Sequence, residues 1–505
     1  MLGSIKATAK ETVIYGLGNI AVKIVGLVLI PIYTDKKYFS VEEFGIIGVL
    51  DISGLLLISV LSISLPQAFT RWFWDKEYIE NQKGIFFMTL VVQLIVCVFF
   101  CILLIPISGF FSLILFDTTD WSKVITLLIL SSAAQVINNL INIHIRLKSR
   151  SVFYIQSNIF KLVVVLSLTL FFILSRGMGI EGIYLAQLSG NIVFILMLSV
   201  YTIRNSTVYF NSNTLKGMNS YGFPLYLGGI AAILLNVVDR YSLNSLALLR
   251  SVALYTLAIK ISSVIKVIFA DSVKLAILPI FFRKMNSQDN RRFYSKVLTY
   301  SSFVVMFAIV GISLFSLEIV KIISRSKEFW DAVAIVPILV LSIFFTNMKE
   351  VTLYSLHIAK KSNIVSYIII SSTALSIILN VLLIPRWDIA GAAVATFLSQ
   401  LFYWFVTYRY AQKAWFIPYE IKKLFILFAA GALFSFSPLL FSDLGLALRI
   451  TIKIILVTAF PFVLYLLRFY DPVEIDIIKG FVKKWSDIRM LRKNLMSLKD
   501  IKDEE

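Results

Sequence analysis

The sequence predicts an all-α polytopic membrane protein of about fourteen transmembrane helices, arranged as two parallel-repeat six-helix lobes plus two C-terminal helices. Three observations carry that expectation. The 505-residue chain is 59% hydrophobic and 14% aromatic, with a mean hydropathy of +0.86, well above the apolar share of a soluble domain. Apolar runs near the ~20 residues needed to cross a bilayer recur from one end to the other between short charged loops. The only two histidines stand in matching segments, HIRLKSRSVFYI from His144 to Ile155 and HIAKKSNIVSYI from His357 to Ile368.

The first six spans fall at roughly 12–34, 44–66, 84–107, 122–142, 152–175 and 179–203. The next six fall at roughly 221–243, 253–282, 293–320, 331–355, 363–385 and 389–412, and the last two at roughly 419–441 and 446–468. The first is no cleavable signal, because Lys23 interrupts its apolar run and no small-residue cleavage site follows. The third contains VVQLIVCVFFCILLIPI, apolar on every face, which reads as helix rather than as the period-two alternation of a barrel strand. Its Cys97 and Cys101, one turn apart, read as buried small apolar residues, with no disulfide framework or zinc spacing.

An internal duplication accounts for the histidines. The two histidine segments lie 213 residues apart, and GIEGIYLAQLSG (Gly179 to Gly190) parallels DIAGAAVATFLS (Asp388 to Ser399) at an offset of about 209. Tyr33 parallels Tyr241 and Gly45 parallels Ala253 at about 208. Helices one to six then correspond to seven to twelve, and because each half has an even number of helices, both begin on the same side. His144 and His357 are repeat markers at equivalent helix ends; a metal role is disfavoured, since no Cys, Asp or Glu accompanies them at ligand spacing. The expected organisation is an N-lobe at 1–210, a C-lobe at 211–415, two further helices at 416–470 and a basic amphipathic tail at 471–505.

The net charge of +19 does not point to nucleic acid, because it is spread over loops instead of one face. With the N-terminus inside, cytoplasmic segments carry roughly 30 Lys and Arg, including Arg146, Lys148, Arg150, Arg283, Lys284, Arg291 and Arg292, against about nine outside. Both termini are therefore expected in the cytoplasm. From Glu474 onward, Ile478, Phe481, Trp485, Ile488, Leu491, Leu495 and Leu498 recur at spacings of three and four with Lys479, Lys483 and Lys484 between them, as in a helix lying on anionic lipid.

Charges inside the spans carry the functional reading, since each costs at least ~2.5 kcal/mol at mid-depth unless it meets water, a partner or a ligand. The candidates are Lys23, Asp51, Lys161, Asp239, Arg240, Lys260, Lys266, Asp271 and Lys274, with cations in excess. At 100° per residue, Lys260, Asp271 and Lys274 fall within about 60° on helix eight, a polar stripe, with Lys266 off it. We expect Lys23, Arg240, Lys260 and Lys274 to bind substrate in a central cavity, and Asp51, Asp239 and Asp271 to serve gating or coupling. Asp239 and Arg240 read equally as a structural pair, and Lys349 with Glu350 reads as structural. Asp51 and Lys260 occupy matching positions of the two halves and are expected either to pair across the cleft or each to bond within its own lobe.

Several stretches resemble a known family. KYFSVEEFGIIGVLDISGLLL with LPQAFTRWFWDK, YGFPLYLGGIAAILLNVVDRYSLNSL followed by VALYTLAIKISS, and LLIPRWDIAGAAVATFLSQ are similar to the bacterial polysaccharide flippases often called Wzx. These belong to the superfamily that also holds MATE drug extruders and the lipid II flippase. The resemblance implies a fourteen-helix fold, a cationic cavity, and export of polyprenyl-pyrophosphate-linked oligosaccharide across the bacterial inner membrane for O-antigen, capsule or exopolysaccharide. It touches Asp239, Arg240 and Arg71, and it implies a transporter, not an enzyme, with no cofactor but a coupling ion, H+ or Na+. Implied partners are the lipid-linked oligosaccharide, membrane lipids, and polysaccharide polymerase with chain-length machinery. Family members commonly use arginine in the cavity where this chain has lysine, a point charge without bidentate geometry. The alternatives are a MATE-like small-molecule antiporter and a membrane glycan polymerase or ligase; no Walker motif or large exterior catalytic loop favours an enzyme.

Overall fold

A computed structural model describes residues 26–271, 290–359, 361–441 and 444–476. Every long element among them is helical, and none is a strand. In chain order we label α1 Val41–Ser62, α2 Leu65–Trp72, α3 Gln82–Leu104, α4 Ser108–Phe116, α5 Ser122–Leu147, α6 Ser151–Leu170 and α7 Gly179–Met197. There follow α8 Ser212–Leu246, α9 Leu249–Ile265, α10 Asn290–Leu314, α11 Val336–Ile358, α12 Ser362–Ala414, α13 Ile421–Phe436 and α14 Leu446–Leu466. The chain divides into two compact units, residues 1–419 and 420–505.

Eleven described helices are long and apolar enough to cross a membrane. One of them is double: α12 runs 53 residues, ~80 Å at 1.5 Å per residue, and its backbone leaves the helix at Asp388 (φ 48°, ψ −126°), three residues after Pro385. α13 is only 16 residues long, and most of the first expected span lies outside the described residues. The many-span helical fold therefore stands, while the count of fourteen is not fixed.

Local chemistry sets the helix ends that matter. α1 opens on a capping box, in which the Glu43 amide donates to the Ser40 hydroxyl (3.1 Å) and the Ser40 amide donates to the Glu43 carboxylate (2.7 Å). It stops at Ile63, a β-branched residue at φ 45°, a conformation that costs on the order of 1–3 kcal/mol. The carbonyls freed by that break are satisfied from neighbouring helices: Tyr226 Oη donates to Val60 O (3.2 Å) and Gln93 Nε2 to Leu61 O (2.7 Å).

Positions related by the repeat offset make polar interior contacts, with different partners in the two halves. Asn138 on α5 donates to Asn191 on α7 (3.0 Å); 209 residues on, Asn347 on α11 donates to Ser301 on α10 (3.3 Å), and Gln400 accepts from Thr346 (3.3 Å). His144 is fully buried in the first half, stacked on Phe86 at 4.1 Å with its Nδ1 2.9 Å from Tyr201 Oη. His357 closes α11 in the second half.

Two expectations need correction here. The helix-eight stripe assumed an unbroken α-helix, but after Ile265 the chain winds as a π-helix over Lys266–Asp271, whose wider turn shifts the angular register, so the projection from Lys260 to Asp271 does not hold, and Lys274 lies outside the described residues. In the second unit, α14 is not simply apolar: Arg449 and Lys453, four residues apart, are buried at 8% and 1% exposure. The expected interfacial helix of the tail lies outside the described residues apart from its first few positions.

Candidate functional site

α1, from the first half, packs against α9, from the second, and two glycines allow the approach. A Cβ at Gly45 would collide with the carbonyl oxygen of Leu249, and one at Gly48 would meet the Thr256 hydroxyl, with its Cβ only 3.2 Å away. Any larger residue would wedge the helices apart. Just beyond this seam, Lys260 Nζ on α9 stands 3.3 Å from Asp51 Oδ2 on α1.

The pair is held from several elements. Tyr184 Oη on α7 donates to Asp51 Oδ1 at 3.4 Å. The ammonium sits over the rings of Phe44 (5.6 Å) and Tyr33 (6.0 Å), which supply cation–π attraction. Two residues along α1, Ser53 shares a 2.8 Å hydrogen bond with Tyr241 Oη of α8, so Tyr33 and Tyr241, which match under the repeat, both flank the site. Lys260 keeps 25% and Asp51 34% of its side chain exposed, so the pair is reachable by water or a ligand instead of being sealed in a core. Its Coulomb attraction of about 5 kcal/mol at an effective dielectric of 20 is largely offset by desolvation, which leaves the pair exchangeable.

Above the seam, the two halves clasp each other reciprocally. Lys36 Nζ, before α1, is 2.6 Å from Glu328 Oε1 in the segment before α11, and the Arg325 amide donates to Thr34 Oγ1 at 3.1 Å. In the other direction, Asn244 Nδ2 at the end of α8 donates to Leu115 O of α4 at 2.7 Å. Phe44 packs edge-on against Phe329 at 5.3 Å, joining clasp to seam. A cavity of ≈ 530 Å³ lies beside this clasp, lined by Lys36, Lys37, Arg250 and Glu328 among others. Lys36 and Glu328 keep 64% and 43% exposure, so their ion pair is worth ~1 kcal/mol or less. Lys36→Gln should therefore lower stability by ~1 kcal/mol or less, read as a small change in thermal midpoint.

The other expected site residues fall elsewhere. Asp239 is buried at 5% and bound within the second half: Tyr255 Oη donates to its Oδ2 at 2.8 Å and also meets Thr396 (2.9 Å), while Arg240 Nε lies 3.7 Å from its Oδ1. Arg240 Nη2 donates to Asn236 O at 2.9 Å. This arrangement ties α8, α9 and α12 together. Lys161 donates to Gln135 of α5 at 2.5 Å, and Lys349 pairs with Glu350 at 2.7 Å over the Tyr403 ring. Lys23, Lys274 and the side chain of Asp271 lie outside the described residues. Tyr184, Phe44 and the glycine seam were not singled out from sequence; the signal available was the three-residue spacing of Gly45 and Gly48 one to two turns before Asp51.

Comparisons with known proteins agree with this architecture. The sequence model of a family described as polysaccharide biosynthesis protein matches residues 8–285. An uncharacterized membrane protein of Methanocaldococcus jannaschii is 22% identical over 281 residues, 52% of this chain; the match spans about half, 54%, of that relative's length. Among solved structures, the lipid II flippase MurJ in its inward closed conformation superposes with a TM-score of 0.70 at 15% identity, covering 90% of this chain and 99% of MurJ. A multidrug resistance MATE family transporter of the MOP superfamily superposes with TM-scores of 0.64 in its inward-facing conformation (14% identity, 81% and 94% covered) and 0.60 in its outward-facing one (15%, 83% and 96%). With its matched region exceeding half the sequence and its helices following the MurJ and MATE fold, the chain belongs to the polysaccharide biosynthesis protein family.

Proposed function

We propose that this chain is a flippase that carries polyprenyl-pyrophosphate-linked oligosaccharide from the cytoplasmic to the outer leaflet of the bacterial inner membrane, by alternating access, for a surface polysaccharide such as O-antigen or capsule. The observation that carries the reading is the exchangeable Lys260–Asp51 pair joining the two halves beside a close helix seam. In this reading the positive-inside rule makes the Lys36 end the exterior one, so that the clasped end closes toward the outside and the cleft between the halves receives substrate from the cytoplasm. A pyrophosphate carries more negative charge than Asp51 and competes for Lys260; once the lysine turns to substrate, the pair no longer holds the seam. The isoprenoid tail stays in hydrocarbon while the sugars pass through the wet cleft, and H+ or Na+ resets the cycle. Polymerase and chain-length machinery would then receive the product outside.

The test is reconstitution. Purified protein in vesicles is given a fluorescent polyprenyl-pyrophosphate oligosaccharide, and its transfer between leaflets is followed by protection from a membrane-impermeant quencher. Transfer well above that of protein-free vesicles is expected. Efflux of small organic cations without any oligosaccharide transfer would instead establish the antiporter reading.

A further inference from the structure

We propose that the seam where α2 meets α8 binds the phosphate or pyrophosphate group of a membrane lipid, with Arg71 as its principal ligand. The Arg71 guanidinium lies 4.2 Å from the ring centroid of Tyr221 on α8 and 5.5 Å from that of Trp72. It is exposed, and it forms no hydrogen bond or ion pair with any described side chain, although Asp75, Glu77 and Glu80 follow in the same loop. A guanidinium over an aromatic ring does not spend its N–H fork on that contact, and the fork matches two oxygens of one phosphate.

The site is built, not incidental. Gly222 lets α8 lie against the Ser64 carbonyl, where a Cβ would come within 2.5 Å, and Ser64 Oγ donates to Asn219 Oδ1 at 2.7 Å. Gly217 also lies beside Trp72, where a Cβ would make an ordinary contact at 3.4 Å from its ring. These contacts fix the aromatic faces that present Arg71.

Depth identifies the ligand class. α8 is 35 residues long, ~52 Å against a hydrocarbon core of ~30 Å, so part of it must project beyond the core. Its composition marks where: Ser212 to Ser220 is mostly polar, whereas Phe223, Leu225 and Leu227 are apolar and 43–52% exposed. Tyr221 stands at that boundary, as do Trp72 and the 56% exposed Trp74, the belt position of aromatic residues in membrane proteins. Arg71 is thus held at headgroup level, and Lys216, exposed and unpaired among the described residues, adds a second positive charge on the polar stretch of α8. The group that meets a forked cation at this depth is a lipid phosphate, from an anionic phospholipid or from a polyprenyl pyrophosphate. The inference does not require that the bound lipid be the transported one.

Native mass spectrometry of the full-length protein in detergent tests it, with phosphatidylglycerol and polyprenyl pyrophosphate as separate probes and diacylglycerol as the phosphate-free comparison. Arg71→Gln should weaken binding of at least one phosphate probe about tenfold, as loss of a bidentate charge-assisted contact implies. A loss confined to phosphatidylglycerol assigns the site to headgroup lipid, and one confined to polyprenyl pyrophosphate assigns it to the isoprenoid carrier. Arg204→Gln, which removes a cation at the end of a separate short helix, should leave binding unchanged. Should Arg71→Gln fail to fold, Arg71→Lys and Tyr221→Leu answer the same question, since each removes the stacked fork while changing less of the local charge. The proposal is overturned if the Arg71 and Tyr221 variants bind both probes as the parent does, or if Arg204→Gln loses as much.

Discussion

Gly48→Cys combined with Thr256→Cys, in a chain whose Cys97 and Cys101 are alanine, should lose nearly all transport on mild oxidation and recover it on reduction. The Cβ built at position 48 lies 3.2 Å from the Cβ of Thr256, close to the 3.5–4.5 Å span of a disulfide, so a shift of a few tenths of an ångström suffices to form the bond. These positions belong to opposite halves of the duplication. If substrate leaves through the end that this seam closes, a covalent bond there holds one state permanently, and no binding energy available from a ligand can break it. Gel mobility of a protease-nicked chain reports the cross-link independently of activity. Full transport by protein that is demonstrably cross-linked would show that the seam stays shut throughout the cycle.

Charge reversal at the central pair should come next in size. Asp51→Lys places two cations together and Lys260→Asp two carboxylates, each leaving a charge without its partner within a span at a cost of about 2.5–3.5 kcal/mol. Transport by either single variant should fall on the order of 100-fold, and the double reversal should regain a substantial part of that loss. Recovery would be incomplete, because Tyr184 donates to the carboxylate and the Tyr33 and Phe44 rings favour a cation on α9. If the double reversal is as inactive as the singles while all three reach the membrane at normal levels, the pair is not the gate; a direct substrate role for Lys260 would then remain, tested by binding of polyprenyl pyrophosphate to Lys260→Gln.

Much of the architecture was legible in particular residues. The apolar runs required helices because lipid cannot satisfy an open backbone, and the repeat offset gave Asp51 and Lys260 matching positions on their helices while leaving open whether they pair. The backbone break in α12 at Asp388, three residues after Pro385, falls between the two spans expected at 363–385 and 389–412. The π-turn after Ile265 was not legible, because VIKVIFAD carries no proline or glycine to announce it, and the angular projection along helix eight failed for that reason. Arg449 and Lys453 were overlooked because each is a single cation within an otherwise apolar window.

Sequence alone determined that this protein lives in a membrane, that its helices are many, that several segments recur at a near-constant offset, and that cations outnumber acids among its candidate intramembrane charges. Those properties follow from composition and period, which are local and survive in any conformation. Tertiary structure alone decided which charges meet. Asp51 finds Lys260 across 209 residues, Asp239 turns instead to Tyr255, and Arg71 stacks on Tyr221, because the glycines at 45, 48 and 222 set how closely particular helices approach. Helical periodicity gives each side chain a direction on its own helix, but a partner also depends on the distance and rotation of the next helix, and these come from packing between segments far apart in the chain.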